Sequence, residues 1–161
     1  MNFKERNHLS TVLFKLTLCF LALTTGVAAT FAGDSIYGTI VEVKSGDVVV
    51  LDYGTGRYTI RLVGIQIPSE GTFSKQAKLF VSKLILKKRV QIRFEYRNET
   101  NEMVSRILTM QSAKMDITDV GEKLVEAGIA RKQADYDYKC GCLTKAENEA
   151  KTSKRGVWAS K

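Results

Sequence analysis

The chain has 161 residues, with 25 Lys and Arg against 17 Asp and Glu, and a formal net charge of +8. That length is one domain's worth. The basic excess favours polyanionic partners such as nucleic acid, anionic lipid or acidic polymers, although simple solubility of a basic exported protein explains it too. There is one Pro, there are three Cys and one His (His8), and no internal repeat or low-complexity run is visible. A zinc centre therefore lacks ligands, because two neighbouring cysteines alone do not close one.

The first stretch reads as a secretory signal peptide. Lys4, Arg6 and Lys15 face a single acid, Glu5; Leu16–Leu23 is almost wholly apolar, and Thr24–Ala32 turns to small residues. These are the three parts of such a leader. The apolar run is shorter than the roughly 20 residues of a spanning helix. Leu18 before Cys19 argues against a lipoprotein anchor, so no stable membrane anchor is expected. Thr30-Phe31-Ala32 or Val27-Ala28-Ala29 offers the cleavage site. With residues 1–32 assigned to the leader, residues 33–161 form the mature domain, secreted or periplasmic, with a net charge of +6. Its length supports a real core without disulfide staples. Cys140 and Cys142 remain, separated by Gly141. A tight bridge, free thiols and an intermolecular link are all open.

Alternation from Ile36 to Val43 predicts a first strand, Ser45-Gly46 a turn, Asp47–Tyr53 a second strand and Arg57–Ile65 a third. After the loop marked by Pro68 and Gly71, the apolar period changes. Phe73, Ala77, Phe80, Val81, Leu84 and Ile85 place an amphipathic helix over Phe73–Lys87. Arg89–Tyr96 alternates again, with Val90, Ile92, Phe94 and Tyr96 on one face. Asn98–Asn101 is a hairpin loop, Met103–Met110 a fifth strand, and Glu102 an acid suited to stabilising that hairpin. Asp119 and Glu122 have capping-box spacing for a helix ending near Ala127, where Gly128 stops it. Thr144 and Glu147 repeat the spacing for a helix to about Arg155, and Trp158 is expected to plug the core. Five strands with a helix between the third and fourth give an α+β fold: an OB-fold five-stranded β-barrel with about three helices.

Several ordered segments resemble the staphylococcal-nuclease-like (thermonuclease) family. They are Gly46-Asp47; Ile60-Arg61-Leu62-Val63-Gly64-Ile65 with Pro68; Lys75-Gln76-Ala77; Leu124–Ala130; and Ala146-Glu147 through Lys154-Arg155-Gly156-Val157-Trp158. The resemblance covers nearly all of residues 35–158. It implies calcium-dependent hydrolysis of DNA and RNA phosphodiesters, with a hard cation on oxygen ligands and guanidinium forks on the phosphate. Carried over residue by residue, it implies Asp47 as a calcium carboxylate and Arg61 and Arg106 as phosphate arginines. Tyr136 and Tyr138 would line the nucleotide pocket. Arg106 shares strand parity with Val104, Leu108 and Met110, so its charge needs a partner or a pocket.

Other positions depart from the family pattern. Gln66 stands where the second calcium carboxylate is expected, Ile67 and Ser69 replace a threonine and the water-handling glutamate, and Glu70 is the acid left to act as base. Met103-Val104 replaces the substrate-side lysine and tyrosine. An amide ligand brings no charge, so calcium binding is expected to be weak or lost. Three functions remain open: an exported module that binds nucleic acid or another polyanion without cleaving it, an active calcium nuclease using Glu70, and a non-catalytic protein-interaction module of the envelope. The residues favour the first.

Overall fold

The structure, a computed structural model, describes residues 35–68, 71–111 and 116–159. The predicted leader, Ser69 and Glu70 lie outside the described residues. Three strands open the chain as a meander: β1 (Ser35–Val43), β2 (Val48–Asp52) and β3 (Arg57–Leu62). Their registers set Ile40 opposite Leu51 and Val49 opposite Ile60, so the alternating apolar residues share one face. A register shift between Ile40 and Glu42 turns Val41 outward, where it is 37% exposed.

The third strand stops sooner than the sequence predicts. Gly64 takes φ 73°, left-handed backbone that ends the extended run. The chain resumes as β4 (Ile65–Gln66), which pairs with β8 (Arg131–Lys132) in a separate two-stranded sheet. Helix α1 (Thr72–Ile85) buries Ala77, Val81 and Ile85, the stripe foreseen in the sequence. At its end, Lys87 N donates to Ile40 O at 2.8 Å, and Ile40 N donates to Lys88 O at 3.1 Å. The helix is thereby tied to β1.

Strands β5 (Arg89–Arg97) and β6 (Met103–Gln111) form the long hairpin. Only the first half of the β5 alternation reaches the core: Val90 and Ile92 are buried, but Phe94 and Tyr96 are 38% and 50% exposed. A register shift between Phe94 and Tyr96 breaks the face assumed from the pattern. The first half of β6 pairs in parallel with β3, with Ile60 opposite Met103 and Leu62 opposite Ser105. This closes a five-stranded mixed barrel in the order β3-β2-β1-β5-β6. The far half of β6 carries β7 (Asp116–Asp119), a strand missing from the sequence-based expectation.

Asp119 caps α2 (Val120–Glu126) by accepting from Glu122 N at 3.0 Å, as its spacing predicts. Helix α3 (Cys142–Thr152) begins two residues before the predicted cap, Thr144. The Asp137 carboxylate takes the amides of Leu143 and Thr144 and the Thr144 hydroxyl instead. Glu147, the expected capping partner, accepts from Lys132 N at 2.9 Å and from Lys151 Nζ at 2.6 Å. Trp158 lies half-buried on a 3-10 turn (Gly156–Trp158) rather than in the core. Arg131 and Lys151 sit 4.9 and 4.6 Å from its ring centroid. Cys140 and Cys142 are bonded to each other, which settles the three alternatives left by the sequence.

Candidate nucleic-acid interface

Two ion clusters form where β6 meets its neighbours. The first is built around Arg61. The β2–β3 register places Val48 opposite Arg61, so Asp47, just before β2, comes beside the guanidinium. The β3–β6 register places Val104 opposite Arg61 and brings in Glu102 from the end of the hairpin. Arg61 donates from Nη1 to Asp47 Oδ2 at 2.5 Å and from Nε to Glu102 Oε2 at 2.8 Å. Leu62 N donates to Asp47 O at 2.8 Å, and Ser45 Oγ donates to Asp47 Oδ1 at 2.6 Å. Gly46 gives the turn its closeness, since a Cβ there would collide with Ala77 and reach 2.8 Å from Ile67 Cδ1. Hydrogen bonding to Arg61 holds the Glu102 carboxyl below the usual range, and the same bond raises the guanidinium further. Glu102 also takes Asn98 Nδ2 at 2.9 Å, so it braces the hairpin as well as the arginine.

The second cluster is built around Arg106. Its side chain is 20% exposed, and its Nε donates to Asp119 Oδ2 at 2.9 Å. The guanidinium carbon lies 3.7 Å from the centroid of the Tyr138 ring. Tyr138 OH donates to the other Asp119 oxygen at 3.2 Å, and Tyr136 packs edge-on to Tyr138 with centroids 6.0 Å apart. Burial pulls the Arg106 pKa down, but the Asp119 charge and hydrogen bond outweigh it and the net shift is upward. Burial pushes the Tyr136 phenol up to about 12 and raises Tyr138 as well, so both are neutral donors at any working pH. Gly64 makes room for this arrangement, because a Cβ there would collide with the Tyr136 ring.

Across β5–β6, Arg93 pairs with Arg106. The two arginines, Lys139 and the rings of Phe94, Tyr136 and Tyr138 line a cavity of about 810 Å³, shared with Glu95 and Asp137. Among the described residues, Arg106 meets Asp119 through Nε, the inner edge of the guanidinium. An anchored guanidinium with donors to spare, flanked by cations and aromatic faces, suits a phosphate next to a base.

The residues singled out in the sequence thus fall into two groups. Asp47 and Arg61 are in direct contact; Arg106, Tyr136 and Tyr138 share the cavity. Gln66 is exposed on β4, next to Ile67, which packs by Gly46. Both Asp47 oxygens are engaged, by Ser45 and Arg61. No group of three His, Cys, Asp or Glu among the described residues is arranged to hold a metal. Calcium takes six to eight oxygens and favours several carboxylates; of the ligands expected for it, Asp47 is paired with Arg61 and Gln66 brings only an amide oxygen. Two participants were missed in the sequence. Asp119 was legible only as a helix cap, and Arg93 only as a residue on an outer strand face; their roles depend on strand register.

A closed mixed barrel of five strands with three helices packed on it is an OB-type fold of the nuclease-like class. Residues 59–160 match the family model described as Staphylococcal nuclease homologue, and the chain belongs to that family. No curated protein gives a significant match.

Proposed function

We propose that this protein binds single-stranded nucleic acid through the cavity around Arg106, and that calcium-dependent hydrolysis is weak or lost. The observation that carries this reading is the mounting of Arg106. Asp119 fixes one edge of the guanidinium and Tyr138 one face, in a cavity that also holds Arg93 and Lys139. A guanidinium fixed in this way loses little freedom when it grips a phosphate, and the adjoining rings offer surfaces on which bases stack. The family membership and the net charge of +8 support the same reading. The leader pattern of residues 1–32 and the Cys140–Cys142 bridge support an exported protein.

Loss of hydrolysis is argued from the donors. Gln66 and Ser69 occupy the positions of two expected carboxylates, and Asp47 is neutralised by Arg61. Parts of a catalytic unit contribute non-additively, so partial retention need not give partial activity. The test is fluorescence anisotropy with a labelled single-stranded oligonucleotide across a salt series, beside a calcium-dependent cleavage assay. Salt-sensitive binding without cleavage is expected, with Arg106→Gln weakening it. No binding at low salt would overturn the proposal, and calcium-dependent turnover would restore the nuclease reading with Glu70 as base.

A further inference from the structure

Cys140 and Cys142 are bridged across a single residue, with Cα atoms 5.2 Å apart. A cross-link stabilises a fold mainly through the chain loop it closes, and that contribution grows with loop length. A bridge between residues two apart lies at the bottom of that scale, so stapling does not account for this one.

The two sulfurs have different settings. Cys140 is exposed and lines the cavity that holds Arg93, Arg106, Tyr136 and Lys139. Cys142 is half-buried and is the first residue of the eleven-residue helix α3. The turn between them is held on both sides. Gly141 N donates to Tyr138 O at 2.8 Å, and the Asp137 carboxylate takes the amides of Leu143 and Thr144. Gly141 takes φ 65°, and a Cβ built on it would meet nothing within 4 Å. Because Cys140 is exposed and lines the cavity, the bridge is approached from its side.

We propose that Cys140–Cys142 is a thiol–disulfide exchange site whose substrates are small thiols bearing carboxylates. The substrate thiolate attacks Cys140 Sγ, the sulfur on the cavity side, and the Cys140–Cys142 bond breaks. Cys142 leaves as a thiolate carrying the electron pair. Access sets the direction of attack, since Cys140 is exposed on the cavity side and Cys142 is half-buried. A second substrate thiolate attacks the substrate sulfur of the mixed disulfide and releases the Cys140 thiolate. Two substrate thiols are thus oxidised to one disulfide, the protein bridge is reduced to two thiols, and the two protons lost by the substrate are regained through solvent. Arg93, Arg106 and Lys139 line the cavity beside Glu95 and Asp137, and Arg106 meets Asp119 through Nε, so these cations keep donors for a carboxylate on the incoming thiol. Those donors select anionic thiols over neutral ones.

The oxidised protein is incubated anaerobically with excess glutathione, then quenched with an alkylating agent and peptide-mapped. Alkylation at Cys140 and Cys142 is expected to grow in step with oxidised glutathione. Cys142→Ser, which has no bridge to reduce, should take up a glutathione adduct on Cys140 only when oxidised glutathione is supplied, releasing one glutathione thiolate per adduct. At low salt, glutathione should react about tenfold faster than 2-mercaptoethanol at matched thiolate concentration. Lys139→Glu should shrink that preference, and high salt should erase it. A wild-type bridge that stays oxidised in excess glutathione, while circular dichroism reports a folded protein, overturns the proposal without touching oligonucleotide binding. Equal rates for the two thiols at low salt overturn the assigned substrate class.

Discussion

Arg106 and Asp119 pair through Nε and Oδ2 at 2.9 Å, and the Asp119 side chain is only 4% exposed. One carboxylate thereby does three jobs: it neutralises Arg106, accepts the Tyr138 hydroxyl and caps α2 through Glu122 N. Asp119→Ala should be the most damaging single change at the site. Breaking a buried ion pair from one side costs about 3–5 kcal/mol, and losing a cap costs about 1 kcal/mol more. Asp119→Asn retains the cap and should cost visibly less. Urea denaturation of both variants measures the difference; equal losses would mean that the ion pair, not the cap, is what Asp119 supplies.

How this pair escaped a sequence reading has a physical explanation. The parity of Arg106 with Val104 and Leu108 announced a charge in need of a partner, but parity does not say which residue supplies it. Asp119 reaches Arg106 because β7 pairs with β6, setting Leu108 opposite Asp119. Residues 113–118 do alternate, Ala113, Met115 and Ile117 against Lys114, Asp116 and Thr118, but so short a run does not say which strand it pairs with. The barrel strands and α1 were legible because long apolar periodicity survives local irregularity. The bulge near Glu95 was not, since no residue type marks it, and it turned the predicted face of Phe94 and Tyr96 outward. The cap of α3 was misassigned for a related reason: Asp137 reaches Thr144 across seven positions, beyond any local capping motif.

Two carboxylates share Arg61, and the side chain remains 39% exposed. Solvent screens such pairs, so Glu102→Gln should cost no more than about 1 kcal/mol of stability. Its effect on binding should be larger in consequence, because removing one negative charge frees the guanidinium for phosphate. Oligonucleotide affinity is expected to rise about threefold at low salt, with the salt slope steepening by about one unit. Anisotropy titrations at several salt concentrations check both. An unchanged slope would separate Arg61 from the bound strand.

Acid should loosen the junction that carries Tyr138 and the disulfide. Burial alone would raise the Asp137 pKa. The hydroxyl and amide of Thr144 and the amides of Tyr138 and Leu143 outweigh it and hold the carboxyl below its usual range. A folded-state pKa below the unfolded value makes the ionised form favour folding. The contribution is complete above the unfolded pKa of about 4 and disappears as pH falls through the lower folded value. Asp137→Asn should lower stability by about 1 kcal/mol at neutral pH and flatten the acid limb of the stability curve. Urea midpoints taken from neutral pH down to about pH 3 decide it; parallel curves would assign the acid dependence to other carboxylates.

Gly128 and Gly156, which belong to two widely separated family segments, meet backbone to backbone. Val157 N donates to Gly128 O at 2.8 Å, and the two glycines take φ 68° and 53°. A Cβ on Gly128 would collide with the Arg155 carbonyl, and one on Gly156 with the Gly128 carbonyl. Either Gly→Ala change should cost about 3 kcal/mol, from left-handed backbone and overpacking together. Gly141→Ala, with left-handed backbone but open space around it, should cost only about 1 kcal/mol. Thermal denaturation of the three variants tests the ranking, and a Gly156→Ala protein as stable as Gly141→Ala would contradict the close approach.

The departures at Gln66 and Ser69 make one further outcome specific. Calcium needs more oxygen donors and more negative charge than Asp47 offers while it is paired with Arg61. Gln66→Asp restores a carboxylate one residue from the Ile67 contact with Gly46, next to the turn that carries Asp47. Ser69→Glu restores the acid expected to handle water. The double variant should bind calcium measurably by isothermal calorimetry and gain slow, calcium-dependent cleavage of single-stranded DNA. With Arg61→Gln added, the cleavage should fall by about a hundredfold while calcium binding persists, because the arginine acts on the phosphate rather than on the metal. Calcium binding without any cleavage would place the remaining defect at Met103 and Val104, where the substrate-side lysine and tyrosine are missing. No calcium binding would mean that the Arg61–Asp47 pair is too favourable for the ion to displace.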